Sequence, residues 1–258
     1  MDKDLTFLQY YSNDEDLLAL DYIIRGNKHE RLRRTESLLY KLTYKSNYLD
    51  NLAIMWKDIE ELMLYGGNTI MNKFRRGHGV PYRVVLMDVC NLIQVKYNKY
   101  DSVDKIEATL LQNILIMSLN NLPHKLLQDM LTEIKISHQK FTMHEMISVL
   151  KIAIEKGYFP VHRIAEIVDK EIFMTLVERR EAYATIAALN CWKYALIGPF
   201  GWIISAVLAA IAITGPAYRV TFPAVVKIAT LRSKVNYETG KSDSYEGEVN
   251  QLFEESNV

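Results

Sequence analysis

The chain is organised around an apolar stretch from Ala182 to Leu231, whose centre, residues 195–226, has the sequence ALIGPFGWIISAVLAAIAITGPAYRVTFPAVV. No charged side chain lies between Lys193 and Arg219. Such a run gains free energy only when it is removed from water, at about 25 cal/mol per Å² of apolar surface. The stretch is therefore predicted to be buried, in protein or in lipid.

Two breaks divide this stretch. Gly198-Pro199 and Thr214-Gly215-Pro216 contain the residues that end helices. The segments on either side of the first break, 183–197 and 202–213, are rich in alanine and in large apolar residues. The pattern predicts a C-terminal Ala/Gly-rich apolar helical hairpin over residues 182–213.

The length of the apolar run and the charges that flank it bear on whether the hairpin is surrounded by protein or by lipid. Residues 195–214 are long enough to cross a bilayer, which takes roughly 20 residues, but Gly198-Pro199 interrupts them. A single membrane crossing usually shows a bias of cations to one side. Here cations flank the run on both sides: Arg179, Arg180, Lys193, Arg219, Lys227, Arg232 and Lys234. The sequence leaves open a hairpin buried in protein, a hairpin seated in a membrane, and a single span.

The rest of the chain has the pattern of amphipathic helices, because apolar residues recur every three or four positions. Glycines, prolines and capping boxes such as Thr142 with Glu145 mark the helix ends. The predicted helices include 48–65, 81–93, 102–119, 123–136, 142–156 and 160–197, the last of which is amphipathic in its first half. Residues 218–222 are β-branched and aromatic but too short and isolated for a strand, so a helix kinked near Pro223 and ending around Lys234 is predicted there. No strand pairs with hairpin turns are found, and the predicted fold class is all-α with about eight to ten helices.

Three units are predicted along the chain. Residues 1–40 form an N-terminal helical segment, and residues 41–235 form the main helical domain, including the hairpin. Residues 236–258 carry six acidic side chains and one lysine, which predicts a mobile acidic tail.

Composition excludes several classes of protein. The formal net charge is zero, whereas nucleic-acid-binding proteins usually carry a basic excess, so no nucleic acid is expected as a partner. Two cysteines inside apolar helical patterns predict neither disulfides nor a zinc site, and we expect no metal and no cofactor. Met1-Asp2-Lys3-Asp4 lacks the order of a signal peptide. A cytoplasmic protein is predicted, and a location at the inner membrane, either peripheral or anchored by the hairpin, stays open.

One local motif occurs twice. Gly79-Val80-Pro81-Tyr82-Arg83-Val84 is echoed by Gly215-Pro216-Ala217-Tyr218-Arg219-Val220. Each copy has the features of a helix start, and helix N-termini attract anions. Coincidence stays open, but if both starts converge they form a binding site for an anion or a partner, with these residues: Arg75, Arg76, His78, Tyr82, Arg83, Tyr218 and Arg219.

Common catalytic motifs are absent from the sequence. His144-Glu145 is followed by Ser148 where a zinc protease requires histidine, and neither a phosphate loop nor a Gly-x-Ser-x-Gly elbow occurs. No catalytic residue is assigned, and the chain is predicted not to be an enzyme.

Several motifs resemble those of the YaaW-type uncharacterised protein family of bacteria. They are Asp4-Leu5-Thr6-Phe7-Leu8-Gln9, Gly66-Gly67-Asn68-Thr69-Ile70, Lys73–Gly79 and Ala217–Val225. That family is grouped with the ubiquinol–cytochrome c chaperones, helical assembly factors of a respiratory complex. The resemblance implies a helical fold and a chaperone-like role, and it supplies no catalytic residues.

Three functions remain as hypotheses. The first is a non-enzymatic, chaperone-like or assembly-factor-like protein that binds a protein partner or a membrane component, such as an anionic lipid, at the cytoplasmic membrane face. The second is a membrane-active stress or defence effector whose hairpin inserts. The third is a hydrolase of a phosphorylated substrate. The sequence does not predict an oligomeric state.

Overall fold

The structure is a computed structural model that describes residues 2–10, 16–17, 20, 23–24, 56, 59–60, 62–64, 79–137, 140–176 and 218–241. These residues contain six α-helices: α1 (Tyr82–Leu92), α2 (Val103–Ser118), α3 (His124–Glu133), α4 (Met143–Glu155), α5 (Val161–Leu176) and α6 (Tyr218–Glu238). Two 3₁₀ helices, Lys3–Tyr10 and Leu119–Asn121, lie among them. The described part has no β-strand, which confirms the predicted all-α fold. The predicted hairpin lies outside the described residues.

The last helix, α6, is the centre of the described structure. It packs against α5, α2 and α1. From Val220 to Leu231 every side chain except that of Pro223 is buried. A helix that is buried all round needs no polar face, which explains why residues 218–234 lack a clear amphipathic pattern.

α5 and α6 run antiparallel. His162, near the start of α5, stacks on Tyr237, near the end of α6, with ring centroids 3.8 Å apart. Further along α5, Asp169 accepts hydrogen bonds from Lys227 and Thr230, which lie earlier in α6. Because the contacts move backwards along α6 as they move forwards along α5, the end of α5 and the start of α6 lie at the same end of the pair.

The predicted helix bounds agree closely with α1 to α4. The capping box at the start of α4 is confirmed: the Glu145 N–H donates to Thr142 Oγ1 at 3.3 Å, and the Thr142 N–H donates to Glu145 Oε2 at 2.7 Å. α6 contains Pro223 and continues to Glu238, past the predicted end at about Lys234. The stacking of Tyr237 on His162 gives this last turn a tertiary contact that local sequence patterns do not reveal.

Gly79 lies against the backbone of an earlier helical turn. The Val80 N–H donates to Met63 O at 3.1 Å. A Cβ added at Gly79 would lie 2.6 Å from Met63 O and 2.7 Å from Leu64 N. Glycine is required at this position because two backbones approach closely, and not only because a turn was predicted there.

Replacing Gly79 with alanine is expected to lower the free energy of unfolding by about 1–3 kcal/mol, since one of the backbones must move. Gly240→Ala is the matched control: Gly240 has φ 66° and nothing within 4 Å of an added Cβ, so it reports backbone conformation alone. Urea unfolding followed by circular dichroism measures both variants. Equal losses at the two positions would contradict the close approach.

No helix in the part of the chain that the structure describes is both long enough and apolar enough to span a membrane.

Candidate functional site

The buried helix α6 carries four cationic side chains, and the structure describes three of them: Lys227, Arg232 and Lys234. Lys227 is only 4% exposed, and Arg232 and Lys234 are half-buried. A charge removed from water costs several kcal/mol unless it is paired, so each of these cations requires an anion close by. Two clusters of polar side chains meet this requirement.

The first is the Lys227 cluster, made of Asp16, Asp169, Lys227, Thr230 and Lys234. Lys227 Nζ donates to Asp16 Oδ1 at 2.6 Å and to Asp169 Oδ2 at 2.9 Å. Lys234 Nζ donates to Asp16 Oδ2 at 2.9 Å, and Thr230 Oγ1 lies 3.4 Å from Asp169 Oδ1. Two carboxylates thus face two ammonium groups, and the cluster is neutral.

The second is the Glu107 cluster, made of Asp4, Phe7, Tyr82, Glu107 and Arg232. The Tyr82 hydroxyl donates to Glu107 Oε1 at 2.6 Å, and Arg232 Nε donates to Glu107 Oε2. Arg232 Nη2 also donates to the Asp4 carbonyl at 2.5 Å. The guanidinium lies over the Phe7 ring, 4.1 Å from its centroid, in a cation–π contact.

Burial shifts the ionisation of this second cluster. It raises the pKa of Glu107, and the positive charge of Arg232 offsets part of that rise. Burial and the charge of Glu107 raise the pKa of Tyr82 well above its usual value, so its hydroxyl stays a proton donor. Burial lowers the pKa of Arg232, but Glu107 outweighs that effect and raises it, so the guanidinium stays charged. Next to Tyr82 in the core, burial raises the pKa of the Cys90 thiol to about 12.

The N-terminal 3₁₀ helix is joined to the core by polar contacts as well as by Leu5 and Leu8, which are fully buried. Asp2 Oδ2 accepts a hydrogen bond from the Tyr82 N–H at 2.7 Å. This carboxylate therefore lies at the start of α1, where the helix dipole favours an anion. The start of α1 is one of the two helix starts in the predicted anion site, and the anion bound there is the Asp2 carboxylate of the same chain.

The predicted site residues have different places in the structure. Tyr82 is fully buried and bonded to Glu107. Arg83 Nη2 donates to the carbonyls of Lys99 and Asp101, at 2.5 and 2.6 Å. Tyr218 and Arg219 are the first two residues of α6, and the structure describes their backbone. The others lie outside the described residues, and the site stays a prediction: Arg75, Arg76 and His78.

Apart from Tyr82, no residue of the two charged clusters was among the predicted site residues, although the sequence contains a signal for each cluster. Glu107 lies on the apolar face of the predicted helix 102–119, together with Val103, Ile106 and Leu110. Lys227 interrupts an otherwise apolar run. A charged residue on an apolar helix face indicates a buried pair, but it does not identify the partner.

No group of three or more histidine, cysteine, aspartate or glutamate side chains that could hold a metal ion occurs among the residues with described positions. The arrangement of the two clusters is suited to joining distant segments of the chain. Ammonium, guanidinium and carboxylate groups in both clusters are paired with each other, and each pair connects α6 to another part of the fold.

Known proteins resemble this chain over most of its length. A UPF0174 protein of Helicobacter pylori (strain J99 / ATCC 700824) is 34% identical over 234 residues, which cover 90% of this chain and 92% of that protein. The chain belongs to the UPF0174 family.

Other UPF0174 proteins agree with this assignment. A UPF0174 protein of Helicobacter pylori (strain ATCC 700392 / 26695) is 31% identical over 78% of this chain and 98% of its own length. UPF0174 protein YaaW of Escherichia coli (strain K12) is 29% identical over 91% of this chain and 95% of its own length. The predicted resemblance to YaaW-type proteins is confirmed. The link to the ubiquinol–cytochrome c chaperones stays a prediction.

No protein-family model matches the chain, and no solved structure matches it significantly.

Proposed function

We propose that this UPF0174 protein is a non-enzymatic, assembly-factor-like binding protein that acts at the cytoplasmic face of the inner membrane. In this proposal the apolar hairpin, residues 182–213, seats the protein in the bilayer, and the helices around α6 bind a protein partner or a membrane component. The observation that supports it best is the antiparallel packing of α5 and α6.

That packing fixes where the chain leaves and rejoins the described helices. Residues 177–217 connect the end of α5 to the start of α6, and those two ends lie at the same end of the helix pair. A segment that starts and finishes at one end must turn back on itself. The two apolar segments between the two helices, 183–197 and 202–213, are long enough for two passes of about 12 to 15 residues, or roughly 18 to 22 Å each at 1.5 Å per residue.

The sequence of this segment favours lipid around it. No charge lies between Lys193 and Arg219, and Trp192 and Trp202 flank the first break, as aromatic anchors do at membrane interfaces. A hairpin that returns would keep both of its flanks on the same face of the membrane. Lys227 does not belong to those flanks, because it is paired inside the core.

The test is fractionation of cells that express the full chain. We expect the protein in the membrane pellet, resistant to both high salt and alkaline carbonate, because a seated hairpin is held by apolar contact. Replacing Ile204 and Leu208 with lysine should move it to the supernatant, since a charge in the bilayer costs about 2.5–3.5 kcal/mol per residue. Ile152→Lys is the matched control, because Ile152 is 47% exposed on α4.

Two outcomes would contradict the membrane seat. Wild-type protein in the supernatant would favour a hairpin buried in protein, and release by carbonate would favour a peripheral contact.

The same hairpin also fits a membrane-active effector, which differs in its consequence: induced expression would then collapse the membrane potential, measured with a potential-sensitive dye. An assembly factor should leave the potential unchanged.

A further inference from the structure

A histidine and a tyrosine join the start of α5 to the end of α6. His162, in the first turn of α5, stacks on Tyr237, in the last turn of α6, with ring centroids 3.8 Å apart and ring planes 22° apart. Residues 237–241 are all exposed, and the hydrogen bonds described for them are local to this end of α6. The stack is therefore the described contact that holds this turn to another helix.

The surroundings of the His162 ring favour its neutral form. Nδ1 is buried and has no hydrogen-bond partner among the described residues. In a neutral imidazole Nδ1 can carry a lone pair, with the proton on Nε2. A protonated imidazole carries an N–H at both nitrogens, and a charged N–H that is buried without an acceptor is strongly unfavourable. The ring cannot accept a proton in this position without moving Nδ1 towards water.

The charged groups that act on His162, among the residues whose positions are described, come from two helices. They are Glu133 of α3 and Arg163 and Glu166 of α5. The two carboxylates favour a protonated ring, but Arg163 binds both: its Nε donates to Glu133 Oε1 at 2.7 Å, and its Nη1 donates to Glu166 Oε2. Burial lowers the pKa of His162, the two carboxylates offset part of that effect, and Arg163 adds to it.

We propose that the stack of His162 on Tyr237 is a pH-sensitive latch, which fixes the end of α6 while His162 is neutral and releases it when His162 takes up a proton. The protonated ring leaves the stack because its Nδ1–H needs water or another acceptor. The latch lies at the end of the α5–α6 pair opposite to the end that residues 177–217 connect. The inference is independent of the membrane seat proposed above.

The pH range of the latch follows from the sign of the shift. An unfolded histidine has a pKa of about 6.5, and burial places the pKa of folded His162 below that value. The contribution of the stack is therefore complete above about pH 6.5 and is lost as the pH falls through the lower pKa of the folded protein. The device responds to mild acidification.

Hydrogen–deuterium exchange of the full chain tests the latch, read by mass spectrometry on a peptide that covers residues 233–241. The rates are corrected for the intrinsic pH dependence of amide exchange. We expect the protection of this peptide to fall about threefold to tenfold between pH 7.5 and pH 5.0, the effect of losing one aromatic stack. Tyr237→Ala should give the low protection at both pH values, because the stack is absent throughout.

A second variant and its control separate the ring from the proton. His162→Phe retains an aromatic ring beside Tyr237 but cannot be protonated, so the protection of the peptide should be independent of pH. His124→Phe is the matched control, because His124 is exposed on α3. It should respond to pH as the wild type does.

Four results would overturn the proposal. Wild-type protection that is the same at both pH values would show that the stack does not respond to a proton. A fall that persists in His162→Phe would assign the response to another group. Equal protection of Tyr237→Ala and wild type at pH 7.5 would show that the stack does not hold the end of α6. A parallel loss of protection throughout α2, α3 and α4 would assign the change to global unfolding.

Discussion

Lys227→Met is expected to lower the free energy of unfolding by about 3–5 kcal/mol, because it leaves two buried carboxylates without their shared cation. Lys227 Nζ lies 2.6 Å from Asp16 Oδ1 and 2.9 Å from Asp169 Oδ2, and the three side chains are 5%, 12% and 18% exposed. Methionine retains most of the apolar volume of lysine, so the loss reports the charge. Urea unfolding followed by circular dichroism gives the value.

Lys151→Met is the matched control for this variant. Lys151 Nζ lies 3.9 Å from Glu155 Oε1 on the surface of α4, and its side chain is 55% exposed. Exposed i,i+4 pairs contribute about 0.3–0.5 kcal/mol, so this variant should unfold close to wild type. Adding Asp169→Asn to Lys227→Met should recover part of the loss, since it removes one unpaired carboxylate. A loss no larger than that of Lys151→Met would contradict the buried pairing.

Glu107→Ala is the second large effect, with an expected loss of about 3–5 kcal/mol. Glu107 is 1% exposed and accepts hydrogen bonds from Tyr82 and Arg232. Alanine leaves the Tyr82 hydroxyl without its acceptor and the Arg232 guanidinium without its carboxylate. Glu107→Gln keeps an acceptor for Tyr82 and should lose less. Glu155→Ala, on the surface, is the control and should lose under about 1 kcal/mol.

The Glu107 cluster also makes a prediction about pH. Burial raises the pKa of Glu107 in the folded protein. At pH values between about 4.3, the pKa of an unfolded glutamate, and this raised pKa, the folded state therefore binds one more proton than the unfolded state. The contribution of Glu107 to stability is complete below that window and decreases as the pH rises through it. The difference in stability between wild type and Glu107→Gln should therefore shrink as the pH rises from 4 to 7. An unchanged difference would show that the pKa of Glu107 is not raised.

Local patterns were sufficient to predict the helices around α6. Apolar spacing and end signals such as Pro123 and Gly157 are properties of neighbouring residues, and they placed α1 to α4 correctly. The end of α6 was predicted too early, because Tyr237 is stabilised by His162, which belongs to another helix.

The pairing of buried charges could not be predicted from local patterns. Asp16 and Lys227 are separated by 211 positions, and their contact exists only once the helices have packed. Lys227 was counted among the cations that flank the apolar run because it follows that run in sequence, and the structure places it in the core instead. Tyr82 and Arg83 were predicted to belong to an anion or partner site, and their described contacts are with Glu107 and with the loop before α2.

The buried charge pairs define a core unit of the molecule. Buried charge pairs hold α6, α5 and the N-terminal segment as one unit. The end of α5 and the start of α6, which residues 177–217 connect, lie at one end of that unit. In the proposed function this end meets the membrane.

The depth of Trp202 in lipid tests the membrane seat most directly. The protein contains three tryptophans, and a variant with Trp56 and Trp192 replaced by phenylalanine leaves Trp202 as the one fluorophore of this kind. We predict that its emission is quenched in vesicles whose acyl chains carry bromine, compared with unbrominated vesicles, and that the quenching persists at high salt. Identical emission in the two kinds of vesicle would place residues 182–213 outside the bilayer and contradict the proposal.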